Sequence, residues 1–227
     1  MMLIIDVEGR AGVGAPAVDA PVVVVEPLLG GPAVVLAVEH EGALEISSGS
    51  GVVPHLGALL DGGVAGQPAR VDDLVDALRA EQSIGAREAI IVSHLNLRPC
   101  AAMLGSWLSH EAQLQRVRIA CAVTTAGDVA ADAMQLAGAL ARMLLDEVTR
   151  PVMLSESAGM AMTIAESYPD PLGALESGRR WGSIRGMDGV DATTPQAAAT
   201  TDQCAAVPVV SLDVSQLRAV AWGGGGS

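Results

Sequence analysis

Residues 118–144 read RIACAVTTAGDVAADAMQLAGALARML. A short apolar run ends at Cys121, turns through Thr124, Thr125, Ala126 and Gly127, and passes into a long stretch of helical periodicity. An apolar run bounded by turn residues is a strand, and apolar residues recurring at three and four positions mark the helix that follows. Asp128 and Asp132 stand four residues apart where that helix begins. Two readings are open. In one, Asp128 caps the helix and Asp132 stabilises its positive end by about 0.3–1 kcal/mol. In the other, the acids belong to a metal or phosphate site at a strand–loop–helix junction.

Working outward, LIID (3–6), VVVVE (22–26) and AVVLAVE (33–39) are β-branched runs bounded by Gly and Pro and are predicted strands. ALEIS (43–47) is a further strand, ending in the turn-rich SSGSG. The spacing of Val71, Leu74, Val75 and Leu78 predicts a helix over 71–81. AIIVSHLN (89–96) is a strand, and Pro99 opens a helix that runs to about His110. VRIACAV (117–123) precedes the helix of the opening stretch, and PVMLS (151–155) is a strand whose Ser155 caps the helix ESAGMAMTIAES. A helix over roughly 172–183 follows Tyr168-Pro169-Asp170-Pro171. Residues 186–206 carry no periodicity and read as a long loop, either a mobile lid or a disordered connection. VPVVSLDV (207–214) is the last predicted strand.

Strands alternating with helices predict an α/β fold: three layers, α/β/α, around a mixed and largely parallel sheet, in a single domain over 1–222. The closing GGGGS (223–227) reads as an appended flexible linker. Ligands in such folds gather at the carboxyl ends of strands. Asp6, residues 93–96, residues 124–132 and residues 155–157 all fall at predicted strand ends.

Composition narrows the function. The net charge is −13, from 26 acids against 13 bases that are all arginine. With no basic stripe, a long phosphate backbone is repelled, so nucleic acid is excluded as a partner. The oiliest window is broken by Glu26, Pro27, Gly30, Gly31 and Pro32, so no membrane span is expected. Cys100, Cys121 and Cys204 are odd in number and widely spaced, and MMLIIDVEGR lacks the basic start of a signal peptide. A cytoplasmic protein with reduced thiols is expected.

Several pieces then agree with one family. The strand ending at Cys121, with Ala122 and Thr124, the acid Asp132, and Ala137-Gly138-Ala139 a turn later, resembles the signature of the 2-phosphosulfolactate phosphatases. VSHLN (92–96) is similar to that family's Ser-Phe-x-Asn, keeping Ser93 and Asn96. LSESAGMAMTIAES (154–167) resembles its Ser-Asp-Ser-Ala helix, and ESGRRWGSI (176–184) its Ser-x-x-Gly-Arg segment, with Gly178 and Arg179. LDVSQLRAV (212–220) resembles its closing strand, and IIDVEGRAG is similar to its Ile-Asp-Val-Leu-Arg-Ala, with Asp6 and Arg10 as counterparts. The chain departs from the pattern where Ala133 follows Asp132 in place of a second acid, and where 47–51 read SSGSG without an asparagine.

The resemblance implies a magnesium-dependent phosphatase acting on a small phosphorylated carboxylate, assembled as a homo-oligomer. Such chemistry needs charge neutralised on the phosphoryl oxygens and a proton for the leaving alkoxide. Asp6, Asp128 and Asp132 are the candidate Mg²⁺ ligands, and a cation would reconcile acids at a helix start with a phosphate substrate. Asp6, Asp132, Asn96 and His94 are the candidate catalytic residues. Arg10, Ser48, Ser50, Ser93, Thr124 and Arg179 are the candidate substrate contacts, the arginines as phosphate forks. Bland readings stand beside each: solvated arginines, a plain Gly-Ser turn, and a hydrogen-bonded core histidine at position 94. The alternatives to hydrolysis are a catalytically silent relative serving as a binding or assembly subunit, and a biosynthetic enzyme that has reused the pocket.

Overall fold

The computed structural model describes residues 2–9, 22–25, 31–40, 43–51, 88–111, 114–121, 129–178, 181, 202, 206–211 and 216–221. Its elements are β1 (Leu3–Gly9), β2 (Val22–Val25), β3 (Gly31–His40), β4 (Ala43–Gly51), β5 (Glu88–Val92), a 3-10 turn (His94–Asn96), α1 (Leu97–His110), β6 (Arg116–Cys121), α2 (Ala131–Glu147), β7 (Val152–Leu154), α3 (Glu156–Ser167), α4 (Pro171–Ser177), β8 (Ala206–Ser211) and β9 (Gln216–Ala221).

Seven strands form one sheet in the order β7-β1-β6-β2-β5-β8-β9. β7, β1, β6, β2 and β5 run parallel, while β8 and β9 return antiparallel. The fold is therefore α/β with a mixed, largely parallel sheet. β3 and β4 pair with each other as a separate antiparallel ribbon. No helix among the described residues is long and apolar enough to cross a membrane.

The residue choice in β6 explains its central place. Val117, Arg118, Ile119, Ala120 and Cys121 are all buried, as a parallel strand covered on both faces requires. β1 alternates instead: Leu3, Ile5 and Val7 are buried, while Ile4 and Asp6 are half-exposed. Ile5 stands beside Val117 and Val7 beside Ile119, so one face of the sheet presents a continuous apolar surface. Helix α2 lies on that surface with α1 on one side and α3 on the other. Leu136, Leu140 and Leu144 of α2 are fully buried, as are Leu104 of α1 and Ala158 and Ala161 of α3.

Small residues set the helix spacing. A Cβ on Gly138 would fall on the backbone carbonyl of Ala161, and one on Gly105 would fall on the Cβ of Glu147. The Ala-Gly-Ala piece at 137–139 is thus the place where α2 and α3 come closest through backbone.

Several elements differ in extent from the sequence reading. The strand expected over 89–96 stops at Val92, because Asn96 turns back: its Oδ1 accepts the Ser93 N–H at 2.9 Å and its Nδ2 donates to the Ile91 carbonyl at 3.2 Å. SSGSG is not a turn but the second half of β4, with Ser48 opposite Val35. Its Gly-Ser composition favours turns, and pairing along a long ribbon overrides that preference. Helix α2 starts at Ala131 with Ala130 as its N-cap and no side-chain cap, so the capping position is not Asp128. The helix expected over 172–183 ends at Ser177, before Gly178. The last predicted strand ends at Ser211, and β9 returns beside it. Ser155 does cap α3, accepting the Ala158 N–H at 3.2 Å. The helix read at 71–81 lies outside the described residues, as does most of 186–206.

Gly138→Ala should lower stability. Forcing a methyl into a filled helix crossing costs about 1–3 kcal/mol, against a gain of ~1 kcal/mol for Ala over Gly in a helix interior. Gly159→Ala on α3, where a Cβ meets nothing within 4 Å, should raise stability instead. Urea denaturation midpoints of the two variants check the pair, and the opposite ordering would remove the close α2–α3 crossing from the account.

Candidate functional site

The carboxyl end of β5 meets the start of α2. β5 ends at Val92, and residues 93–96 form the tight turn that feeds α1. His94 points inward from this turn and is buried. Its Nε2 lies 3.0 Å from Gln135 Oε1, and Gln135 Nε2 donates to the Tyr168 carbonyl at 3.2 Å. Because the Gln135 amide nitrogen is spent on Tyr168, its oxygen is the acceptor and His94 Nε2 carries the proton. The neutral ring then holds its lone pair on Nδ1.

Burial pushes the His94 pKa below its ordinary value of 6.5. The Gln135 hydrogen bond opposes the shift, as do the negative charges of Asp132, Asp170 and Asp202. Asp132 is buried in the first turn of α2, one turn before Gln135. Asp170 caps α4, its Oδ1 accepting the Leu172 N–H at 3.0 Å. Three carboxylates from three parts of the chain thus act on one imidazole.

A second polar group lies at the end of β7. Ser157 Oγ donates to Asp6 Oδ1 at 3.3 Å and lies 2.9 Å from Ser155 Oγ. Arg116 stands 4.0 Å from the other Asp6 oxygen. The ladder places Asp6 beside Arg118, so Asp6, Arg116 and Arg118 share the sheet face opposite α2. Arg118 is buried there.

The expected site residues therefore fall into several places. Ser93, His94 and Asn96 share the β5–α1 turn, and Asp132 is buried on α2 one turn before Gln135, the partner of His94. Asp6 belongs to the Ser155–Ser157–Arg116 group. Ser48 lies opposite Val35 on β4, in the two-stranded ribbon that also carries Ser50. Arg10, Thr124, Asp128 and Arg179 lie outside the described residues. Among the described residues no group of three or more His, Cys, Asp or Glu side chains is placed to hold a metal ion.

The sequence reading passed over Gln135, Asp170 and Asp202. Gln135 had a usable signal, since it sits three residues after Asp132 on the same helical face. Asp170 had one too: an acid immediately before Pro171 is an N-cap followed by proline at the first helical position. Asp202 had none. The described cysteines are buried, Cys121 donating to the Ala133 carbonyl at 3.7 Å. Burial pushes the Cys100 thiol far up, which leaves it protonated and unreactive.

The depressed His94 pKa makes stability depend on pH with a definite sign. The unfolded chain binds the proton more readily, so stability from the neutral ring is complete above pH 6.5 and is lost as pH falls towards the folded-state pKa. The slope is at most about 1.4 kcal/mol per pH unit. His94→Gln should flatten this part of the stability–pH curve, measured by urea unfolding from pH 7.5 down to pH 5, while an unchanged curve would assign the dependence elsewhere. The chain matches no protein-family model and no curated protein.

Proposed function

We propose that this chain is a magnesium-dependent, phosphatase-like hydrolase of a small phosphorylated carboxylate, working at the carboxyl ends of the parallel strands. The observation that supports the reading is the buried His94–Gln135 pair, which sets the turn holding Ser93 and Asn96 against the start of α2, where Asp132 is buried one turn before Gln135. A carboxylate at a strand end, such as Asp132, repels a phosphoryl group unless a cation lies between them. Magnesium commonly takes only one or two protein carboxylates and fills its remaining positions with water and substrate oxygens. It therefore does not require the larger ligand set that is lacking among the described residues.

In this reading Asp132 is the first candidate ligand and Asp128 the second, while Asp6, held by Ser157 on the sheet face opposite α2, stands apart from them. Ser93, Asn96, Thr124, Arg10 and Arg179 contact the substrate, and Ser48 and Ser50 do so from the β3–β4 ribbon. The bound cation would polarise a phosphoryl oxygen. A second helical layer from residues around 71–81, a homo-oligomeric assembly and a cytoplasmic location complete the proposal.

A catalytically silent binding or assembly subunit is the second reading, and one observation favours it. His94 Nε2 and Asp6 Oδ1 are each held by a neighbour of the chain itself, Gln135 and Ser157. Groups satisfied in this way serve the fold before they serve a ligand.

Phosphate release from a panel of small phosphate esters should appear with Mg²⁺, collapse in EDTA and return when Mg²⁺ is restored. Activity indifferent to chelation would sink the metal assignment, and no turnover across the panel would favour the silent subunit. Asp132→Asn separates the two local readings of that acid. As a ligand, Asp132 is crowded by other acids in the metal-free protein, so the variant should keep or raise the Tm without metal and lose the parent's upward shift with Mg²⁺. As a helix-end charge worth about 0.3–1 kcal/mol, its replacement should leave the Mg²⁺ shift intact.

A further inference from the structure

Helix α1 begins without a cap of its own. Asn96 stands at the N-cap position but makes no capping hydrogen bond, because its side chain is committed to Ser93 and Ile91. The first turn of any helix leaves backbone N–H groups to be satisfied from elsewhere. Here the acceptor comes from far along the chain. Asp202 Oδ1 accepts the Arg98 N–H at 2.8 Å, across 104 residues. Its Oδ2 lies 3.1 Å from Arg98 Nε. The backbone N–H of Asp202 donates to the His94 carbonyl at 2.9 Å.

Three contacts from one residue thus tie the 93–96 turn and the first turn of α1 to a single point. Asp202 also adopts a φ of 56°, in the left-handed region that most side chains avoid and aspartate tolerates better than most. That backbone turn lets one residue offer its N–H to His94 and its carboxylate to Arg98 together. The carboxylate is three-quarters shielded from solvent, whereas the Arg98 side chain is largely exposed. The charged pair contributes little under those conditions, and the capping bond to the backbone N–H dominates.

We infer that Asp202 is a latch: it supplies a cap for α1 from far along the chain and ties its own backbone to the turn bearing Ser93, His94 and Asn96. Movement at residue 202 is thereby coupled to the start of α1 and to the His94 carbonyl. Releasing the latch frees the first turn of α1 and the candidate site's β5–α1 turn in one step. The inference concerns the mechanics of this turn and does not depend on which reaction, if any, takes place beside it.

Amide hydrogen exchange on the full chain tests it. Asp202→Ala should speed exchange of the Arg98 amide roughly five- to thirty-fold, the factor that corresponds to losing one helix cap. The amide of Leu140, deep in α2, should keep the parent's rate. Asp202→Asn retains an oxygen acceptor and tolerates the same backbone turn, so it should keep most of the Arg98 protection. Arg98→Ala removes the ion pair but not the capping bond, and protection at residue 98 should again persist. The latch is overturned if the Arg98 amide exchanges at the parent's rate in Asp202→Ala, or if Leu140 speeds up by the same factor, since the effect would then be global.

Discussion

The close approach of α2 to its neighbours is the constraint on which the rest of this structure depends. Gly138 lets the α2 backbone lie against the Ala161 carbonyl, and Gly105 lets α1 accept the Glu147 side chain. With α2 held in this slot, Leu136, Leu140 and Leu144 fill the space above β6 and β2 without large aromatic residues. A core poor in aromatics reaches native density only if its helices come close, since dispersion falls away quickly across small gaps. The same slot fixes the rotation of α2, and that rotation brings Gln135 to His94 at the end of β5. Packing of small residues and placement of polar ones are here a single fact.

The polar pole is organised as paired commitments. Gln135 holds the His94 ring and the Tyr168 carbonyl at once, joining the β5–α1 turn to the entry of α4. Asp170 serves Leu172 as a cap while its charge reaches His94. Each residue satisfies a backbone or ring group of a different element, so these contacts tie helix α2 to the turns around it. Burial is what favours the neutral imidazole here, against the opposing pull of the Gln135 hydrogen bond and the nearby acids.

How much of this could be read from the residues depended on distance along the chain. Ser155 was legible as a cap because a strand, a serine and an apolar helix follow one another directly. The parallel strands were legible from β-branched runs, and the order of α/β alternation followed from them. The pairing of His94 with Gln135 was not, because the two lie 41 residues apart and nothing local to either names the other. The 47–51 stretch pairs as strand against its composition, because turn propensity is local while the β3–β4 pairing is not. Helix α2 was placed correctly in kind, but its start could not be fixed from Asp128 when the cap position is an alanine. Local chemistry announces itself in sequence, and contacts between distant segments do not.

The shortness of β7 has a consequence for how the protein behaves in crowded solution. β7 occupies one rim of the sheet and is only three residues long, with α3 starting immediately after Ser155. Its link to β1 engages Pro151 and Ser155 on the inner side, so alternation leaves the backbone groups of Val152 and Leu154 facing outward. Two residues are too short a template for an incoming strand to register against. This rim therefore resists the strand-by-strand growth that leads to fibrous aggregates, and it does so through brevity, without the lysines that proteins often place on exposed edges.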